Sequence, residues 1–204
     1  ENNRKAAKCI EENIAFTKFD KKARLVTRVI SCVLLVAILI TSTAFYWNDE
    51  SNNIPTQTGT EVGNLCYGAD LTIVDKNGIT ESTINPVQTG KITIINFWGT
   101  WCTPCVNELP YFDQIATNYT DTVSVIAVHT NMKIDTSPEY INSHYPESKI
   151  TFASDLKGEE YYSTLGGRGT YPYTVVLDEN GVIIKIFFEA LEYEDLQEVV
   201  ESQL

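Results

Sequence analysis

Histidine is scarce in this chain of 204 residues, with His129 and His144 the only two. Cysteine is confined to Cys9, Cys32, Cys66, Cys102 and Cys105. That number and its irregular spacing exclude a disulfide-rich scaffold. One CxxC occurs and no second, so nothing completes a zinc site of the Cys/His type. Basic residues thin out after residue 28. The first 28 residues carry a net charge of +4 and the remainder −16, which gives −12 in all. So acidic a region is a poor match for nucleic acid or an anionic membrane surface. Acidity that serves solubility explains it more simply than a basic partner does. Internal repeats are absent as well. What remains is one domain of about 150 residues, large enough to bury a core.

Charge is also missing from one long run. Val29–Trp47 is 19 residues without Asp, Glu, Lys or Arg. At ~1.5 Å per residue such a helix nearly crosses a ~30 Å hydrocarbon core. Lys18, Lys21, Lys22, Arg24 and Arg28 precede it, and Asp49 and Glu50 follow. The positive-inside bias predicts a single-pass protein of the cell membrane, held in the lipid bilayer through residues 29–47. Residues 1–28 then form a short cytoplasmic segment, with Cys9 a reduced thiol, and the C-terminal domain lies outside the cytoplasm. Tyr46 and Trp47 suit the outer interface. A cleaved signal peptide is the rival reading. It wants a shorter apolar run and small residues before the cut, and Ser42-Thr43-Ala44 matches weakly. Val29-Ile30-Ser31-Cys32 imitates a lipoprotein box, but its apolar run follows the cysteine, so Cys32 reads as an apolar residue of the span. Residues 48–64, rich in Asn, Thr, Gly and Ser, read as a flexible linker. Residues 65–204 read as the folded domain.

Within that domain a strand-like run, Ile92-Thr93-Ile94-Ile95, leads into Asn96-Phe97-Trp98-Gly99-Thr100-Trp101-Cys102-Thr103-Pro104-Cys105. A helix-like run from Val106 to Thr117 leads out. A CxxC at a strand-to-helix junction reads as a redox pair. A helix beginning near Thr103 puts Cys102 at its N-terminal edge and Cys105 one turn in. Residues three apart share a helix face, so the sulfurs can reach disulfide distance. Unpaired helix N–H groups and the positive end of the macrodipole then favour a Cys102 thiolate. Pro104 suits the first turn, and Pro110 falls inside the helix, where it is expected to kink it. Glu108 shares the face of Cys105. An acid there either relays a proton or is a solvated helix glutamate. A static disulfide remains the bland alternative for the pair.

The remaining elements are short. Leu71–Asp75 and Ile79–Ile84 flank Asn77-Gly78, the strongest short hairpin signal. Val123–Val128 reads as a core strand, Pro138–Tyr145 as a helix, Ile150–Ala153 as a strand and Glu159–Leu165 as a helix stopped by Gly166-Gly167. Tyr173–Leu177 and Val182–Phe188 flank a second turn at Asp178–Gly181. The last element carries Tyr193, Leu196, Val199 and Val200 on one face of a helix.

The string Phe97–Cys105 resembles the active site of thioredoxin-fold proteins. With Glu108 and Pro110 it resembles more closely the TlpA/ResA-like membrane-anchored thiol-disulfide oxidoreductases, over about residues 65–204. The resemblance implies an α/β thioredoxin-like fold, with a central mixed sheet flanked by helices and an extra N-terminal hairpin. The β-α-β-α…β-β-α order agrees with it. It implies a redox-active Cys102–Cys105 disulfide, and a cis Tyr171–Pro172 bond beside it that keeps metals off the cysteines. Trp101, Thr103, Pro104, Tyr171 and Pro172 would line a substrate groove. It makes Glu108 functional and the net direction reductive. The partners implied are proteins bearing disulfides and a membrane electron donor of the CcdA/DsbD type. Cytochrome c maturation and general disulfide reduction are the candidate pathways. No diffusible cofactor and no metal are implied.

Two rivals differ in chemistry. A disulfide-forming oxidase would use the same CxxC. A copper metallochaperone would use the two cysteines and His129, although copper-binding relatives usually space their cysteines by three residues. Trp98 is either a substrate contact or packing, Trp101 is expected to be partly exposed, Arg168 reads as a solvated loop residue, and Cys66 as buried and inert.

Overall fold

The computed structural model describes residues 26, 30–37, 57–130, 136–155 and 159–204. The chain divides into two units, Glu1–Asn53 and Ile54–Leu204. In the first, residues 30–37 are helical with exposed side chains. The rest of the expected span at 29–47, Cys9, and residues 48–56 of the expected linker lie outside the described residues. Among the described residues no helix is long and apolar enough to cross a membrane.

The second unit runs β1 (Leu71–Asp75), β2 (Gly78–Ile84), β3 (Ile92–Trp98), α1 (Thr103–Asn118), β4 (Val123–His129), α2 (Ser137–His144), β5 (Thr151–Ser154), α3 (Glu160–Thr164), β6 (Tyr173–Leu177), β7 (Ile183–Phe187) and α4 (Tyr193–Glu201). One seven-stranded mixed sheet has the order β2-β1-β5-β4-β3-β6-β7. The β3–β4 and β4–β5 pairs are parallel, and β3–β6, β6–β7, β1–β2 and β1–β5 are antiparallel. This is the thioredoxin-like α/β arrangement. The extra hairpin extends the sheet by docking β1 on β5.

Local chemistry explains the two hairpins. The Asp75 carboxylate accepts from the backbone N–H of Asn77 (2.8 Å) and Gly78 (3.1 Å), and Gly78 takes φ +137°. Asp178 does the same for Asn180 (2.8 Å) and Val182 (2.9 Å). Aspartate in these positions substitutes for a backbone turn partner.

Strand β3 lies in the interior of the sheet, and all seven of its residues are buried. Its alternation divides the core. Ile92, Ile94 and Trp98 face one cluster with Leu109, Phe112 and Ile115 of α1 and Leu196 and Val200 of α4. Ile95 and Phe97 face another with Tyr161, Tyr162, Leu165 and Tyr173. Each large apolar side chain buried here stabilises the fold by roughly 1.5–3 kcal/mol. Residues 57–64, part of the stretch 48–64 that reads as a linker, make backbone hydrogen bonds in this unit. Gly63 N–H donates to Ile183 O (2.8 Å), and Leu65 N–H to Gln57 O (3.0 Å). The first of these bonds reaches Ile183 of β7, whose own N–H donates to Asn64 O (2.9 Å).

Candidate active site

Strand β3 delivers Trp98 to a closed pocket and then turns sharply. Trp98 is fully buried and meets His129 edge-on at 5.2 Å and Phe152 at 5.8 Å, so its role is packing. The turn behind it is pinned from two sides. Thr100 N–H donates to His129 Nε2 at 3.3 Å, and Cys102 N–H donates to Gly99 O at 3.0 Å. His129 is therefore buried and engaged by the backbone of the active-site turn.

Cys102 is the N-cap of α1 in an extended conformation, and Cys105 lies inside the first turn. The two form a disulfide with Cα atoms 5.3 Å apart. Cys105 N–H donates to Cys102 Sγ at 3.3 Å. A helix N-terminus aimed at sulfur stabilises negative charge there. Cys102 keeps 5% of its surface exposed and Cys105 none, so an incoming sulfur reaches Cys102 first. Thr103 and Pro104 are exposed on the rim.

Trp101 is 53% exposed and meets Tyr171 edge-on at 5.2 Å. Tyr171 stacks on Tyr162 at 4.7 Å, and Tyr162 donates its hydroxyl to Thr170 O at 2.8 Å. The Tyr171–Pro172 bond is cis and Pro172 is buried. Trp101 and Tyr171, 70 positions apart in sequence, thus form one aromatic wall beside Cys102. Arg168 is exposed in the α3–β6 loop, as expected for it, with its guanidinium over the Phe188 ring at 5.7 Å.

Glu108 is not a solvated helix glutamate. It is 1% exposed. Its Oε1 accepts from Asn96 Nδ2 at 2.8 Å and its Oε2 from Leu191 N–H at 2.8 Å. Burial pushes its carboxyl up from 4.5 to about 7, against the downward pull of those two hydrogen bonds. It sits one turn beyond Cys105 with the affinity for a proton that neutral-pH chemistry needs. Asn96, Thr174 and Leu191, which complete its surroundings, were not singled out from the sequence. The signal was a lone amide, Asn96, inside the apolar run Ile94–Trp98.

Cys66 is free and buried. Its Sγ–H donates to Tyr67 O at 3.4 Å. Burial pushes its thiol up to about 11, and the hydrogen bond with Tyr161 only partly opposes this. It stays protonated at neutral pH, as the inert reading requires. Among the described residues no group of three or more His, Cys, Asp or Glu could hold a metal ion.

Comparison with known proteins agrees with this geometry. The Redoxin family description matches residues 61–202. The thiol-disulfide oxidoreductase ResA of Geobacillus thermodenitrificans (strain NG80-2) is 28% identical over 184 residues, covering 89% of this chain and 97% of that protein. Two solved structures share the fold. The pneumococcal exposed lipoprotein thioredoxin of Streptococcus pneumoniae strain TIGR4 matches with a TM-score of 0.55 at 21% identity, over 66% of this chain and 99% of that one. StoA from Bacillus subtilis matches with a TM-score of 0.52 at 24% identity, over 65% and 95%. This chain therefore belongs to the Redoxin family and is a TlpA/ResA-like oxidoreductase of the thioredoxin superfamily.

Proposed function

We propose that this protein reduces disulfides in other proteins outside the cytoplasm, from a membrane anchor at residues 29–47 with residues 1–28 cytoplasmic. The observation that carries the reading is the pairing of an N-capping, partly accessible Cys102 with a closed-off Cys105 and a buried Glu108 one turn on. Cys102 thiolate attacks one sulfur of a substrate disulfide. The S–S bond breaks, one substrate thiolate leaves, and a mixed disulfide with Cys102 forms. The Cys105 thiol gives its proton to the Glu108 carboxylate. The resulting thiolate attacks Cys102 Sγ, which releases the second substrate thiolate and closes the Cys102–Cys105 disulfide. Two electrons pass from the cysteine pair to the substrate, and two protons end on its thiols.

Trp101, Thr103, Pro104, Tyr171 and Pro172 form the substrate groove in this reading. The edge at Tyr171 pairs with an extended peptide. No diffusible cofactor takes part, and a membrane transporter of the CcdA/DsbD type returns the electrons. Cytochrome c maturation or general disulfide reduction is the pathway served. The test is the potential of Cys102–Cys105 against glutathione. A value near about −270 mV fits a reductase, and one near about −120 mV overturns the direction in favour of an oxidase.

A further inference from the structure

Asn96 and Thr174 are register partners across β3 and β6, and both are fully buried. A buried amide is costly unless its groups are paired. Asn96 Nδ2 donates to Glu108 Oε1 at 2.8 Å and to Thr174 Oγ1 at 3.0 Å. Its Oδ1, equally buried, has no partner. The amide thus commits both hydrogens to two oxygens and leaves its own oxygen idle.

Both of those oxygens can reverse their roles. A carboxyl that gains a proton becomes a donor, and a hydroxyl donates as readily as it accepts. A half-turn of the Asn96 amide exchanges Nδ2 and Oδ1. Oδ1 then accepts from a protonated Glu108 and from the Thr174 hydroxyl. The place it vacates has no polar partner in either orientation, so the turn exchanges an unpaired carbonyl oxygen for an NH2 with two unpaired donors, a cost that the proton on Glu108 must offset. An apolar side chain at 96 would serve neither protonation state.

We propose that Asn96, steadied by Thr174, is the positioning residue that follows the proton on Glu108: its amide donates to the ionised carboxylate and, turned over, accepts from the protonated one. The proposal rests on Glu108 as proton acceptor for Cys105. The elements around the carboxyl bring few competing charges. Cys102 and Cys105 share its helix. Tyr173 on β6 donates its hydroxyl to Leu165 O. Lys185 on β7 lies over the Phe187 ring. Of the acids flanking Leu191, Glu192 and Asp195 are occupied in the capping box of α4, and Glu189 and Glu194 are exposed. Burial first, and then the two hydrogen bonds, govern Glu108.

The test is an infrared difference titration of the full 204-residue chain, with the Glu108 carboxyl band assigned by its loss in Glu108→Gln. Asn96→Leu, close in shape, should raise the titration midpoint by about one unit. It should also move the protonated C=O band to higher frequency, because that carboxyl loses its acceptor. Thr174→Val should move both readings the same way by less. An unmoved midpoint and band in Asn96→Leu overturn the proposal; if that variant does not fold, the same result in Thr174→Val does so. A pH–rate profile of disulfide exchange separates the two ideas. A shifted midpoint with an unshifted profile upholds the role of Asn96 and removes Glu108 from the proton path. An unshifted midpoint, with a profile that Glu108→Gln abolishes, does the reverse.

Discussion

Glu108 is held in a place where its charge is disfavoured, and that has a measurable sign. Its carboxyl titrates near 7 in the folded chain and near 4.5 ordinarily. Between those values the native state binds a proton that the unfolded state has lost. Stability therefore falls as pH rises through this window, and a penalty of about 3 kcal/mol is complete above it. Glu108→Gln should stabilise the oxidised protein at pH 8 by an amount of that order and change little at pH 4, as read by urea denaturation at the two pH values. Equal effects at both would mean that the carboxyl is not charged at a cost. Turned over, the Asn96 amide gives the new amide an acceptor in its otherwise idle Oδ1. A second outcome follows from the exposure of the two sulfurs. In the reduced protein iodoacetamide should label Cys102 much faster than Cys105, and Cys105→Ser should hold substrates as mixed disulfides on Cys102. Trapping through Cys105 alone would reverse the order of attack.

At the scale of elements, the α3–β6 connection shapes the groove. Gly166 takes φ +84°, and a Cβ on Gly167 would come within 2.4 Å of the Tyr162 ring. That ring stacks on Tyr171, which meets Trp101. Gly167→Ala should push Tyr162 aside and loosen the aromatic wall. An aromatic contact of about 1 kcal/mol corresponds to a roughly five-fold loss of kcat/KM on a protein disulfide, with a small-molecule disulfide unaffected. Equal losses on both would place the damage in the sulfur chemistry and not in the wall. The same scale shows what the sequence could convey. Asn77-Gly78 and the CxxC junction were legible because a turn and a helix start are decided by neighbouring residues. The docking of β1 on β5 was not, since Thr72 pairs with Ser154 and no local pattern records such a partner. The burial of Glu108 was hidden for the same reason. Its Oε2 partner, Leu191, lies 83 residues away, and helical spacing could place the acid on the cysteine face without saying what covers that face. Asn96, an amide within an apolar strand, was the visible clue.

Across the whole molecule the charge pattern argues for a tether. Basic residues run to Arg28, an uncharged stretch follows to Trp47, and the remainder is acidic. Outside a membrane no soluble NADPH-linked reductase is expected, so a reducing cysteine pair drifts to the disulfide unless it is reduced again. Confinement beside a membrane-embedded donor raises the effective concentration of donor and acceptor without any new contact. In the proposed function, residues 48–64, which read in sequence as a linker, would let the catalytic domain alternate between donor and substrate. The C-terminal end of that stretch meets the fold at Gly63, whose N–H donates to Ile183 O, and just beyond it Cys66 N–H donates to Gly181 O. We predict that Cys102–Cys105 is largely reduced in intact cells and becomes oxidised when residues 1–47 are replaced by a cleavable secretion signal. Acid-quench alkylation of both forms reads the ratio directly. A released form that stays equally reduced would show that the tether does not serve electron supply. A fully oxidised anchored form would turn the reaction round, toward disulfide formation.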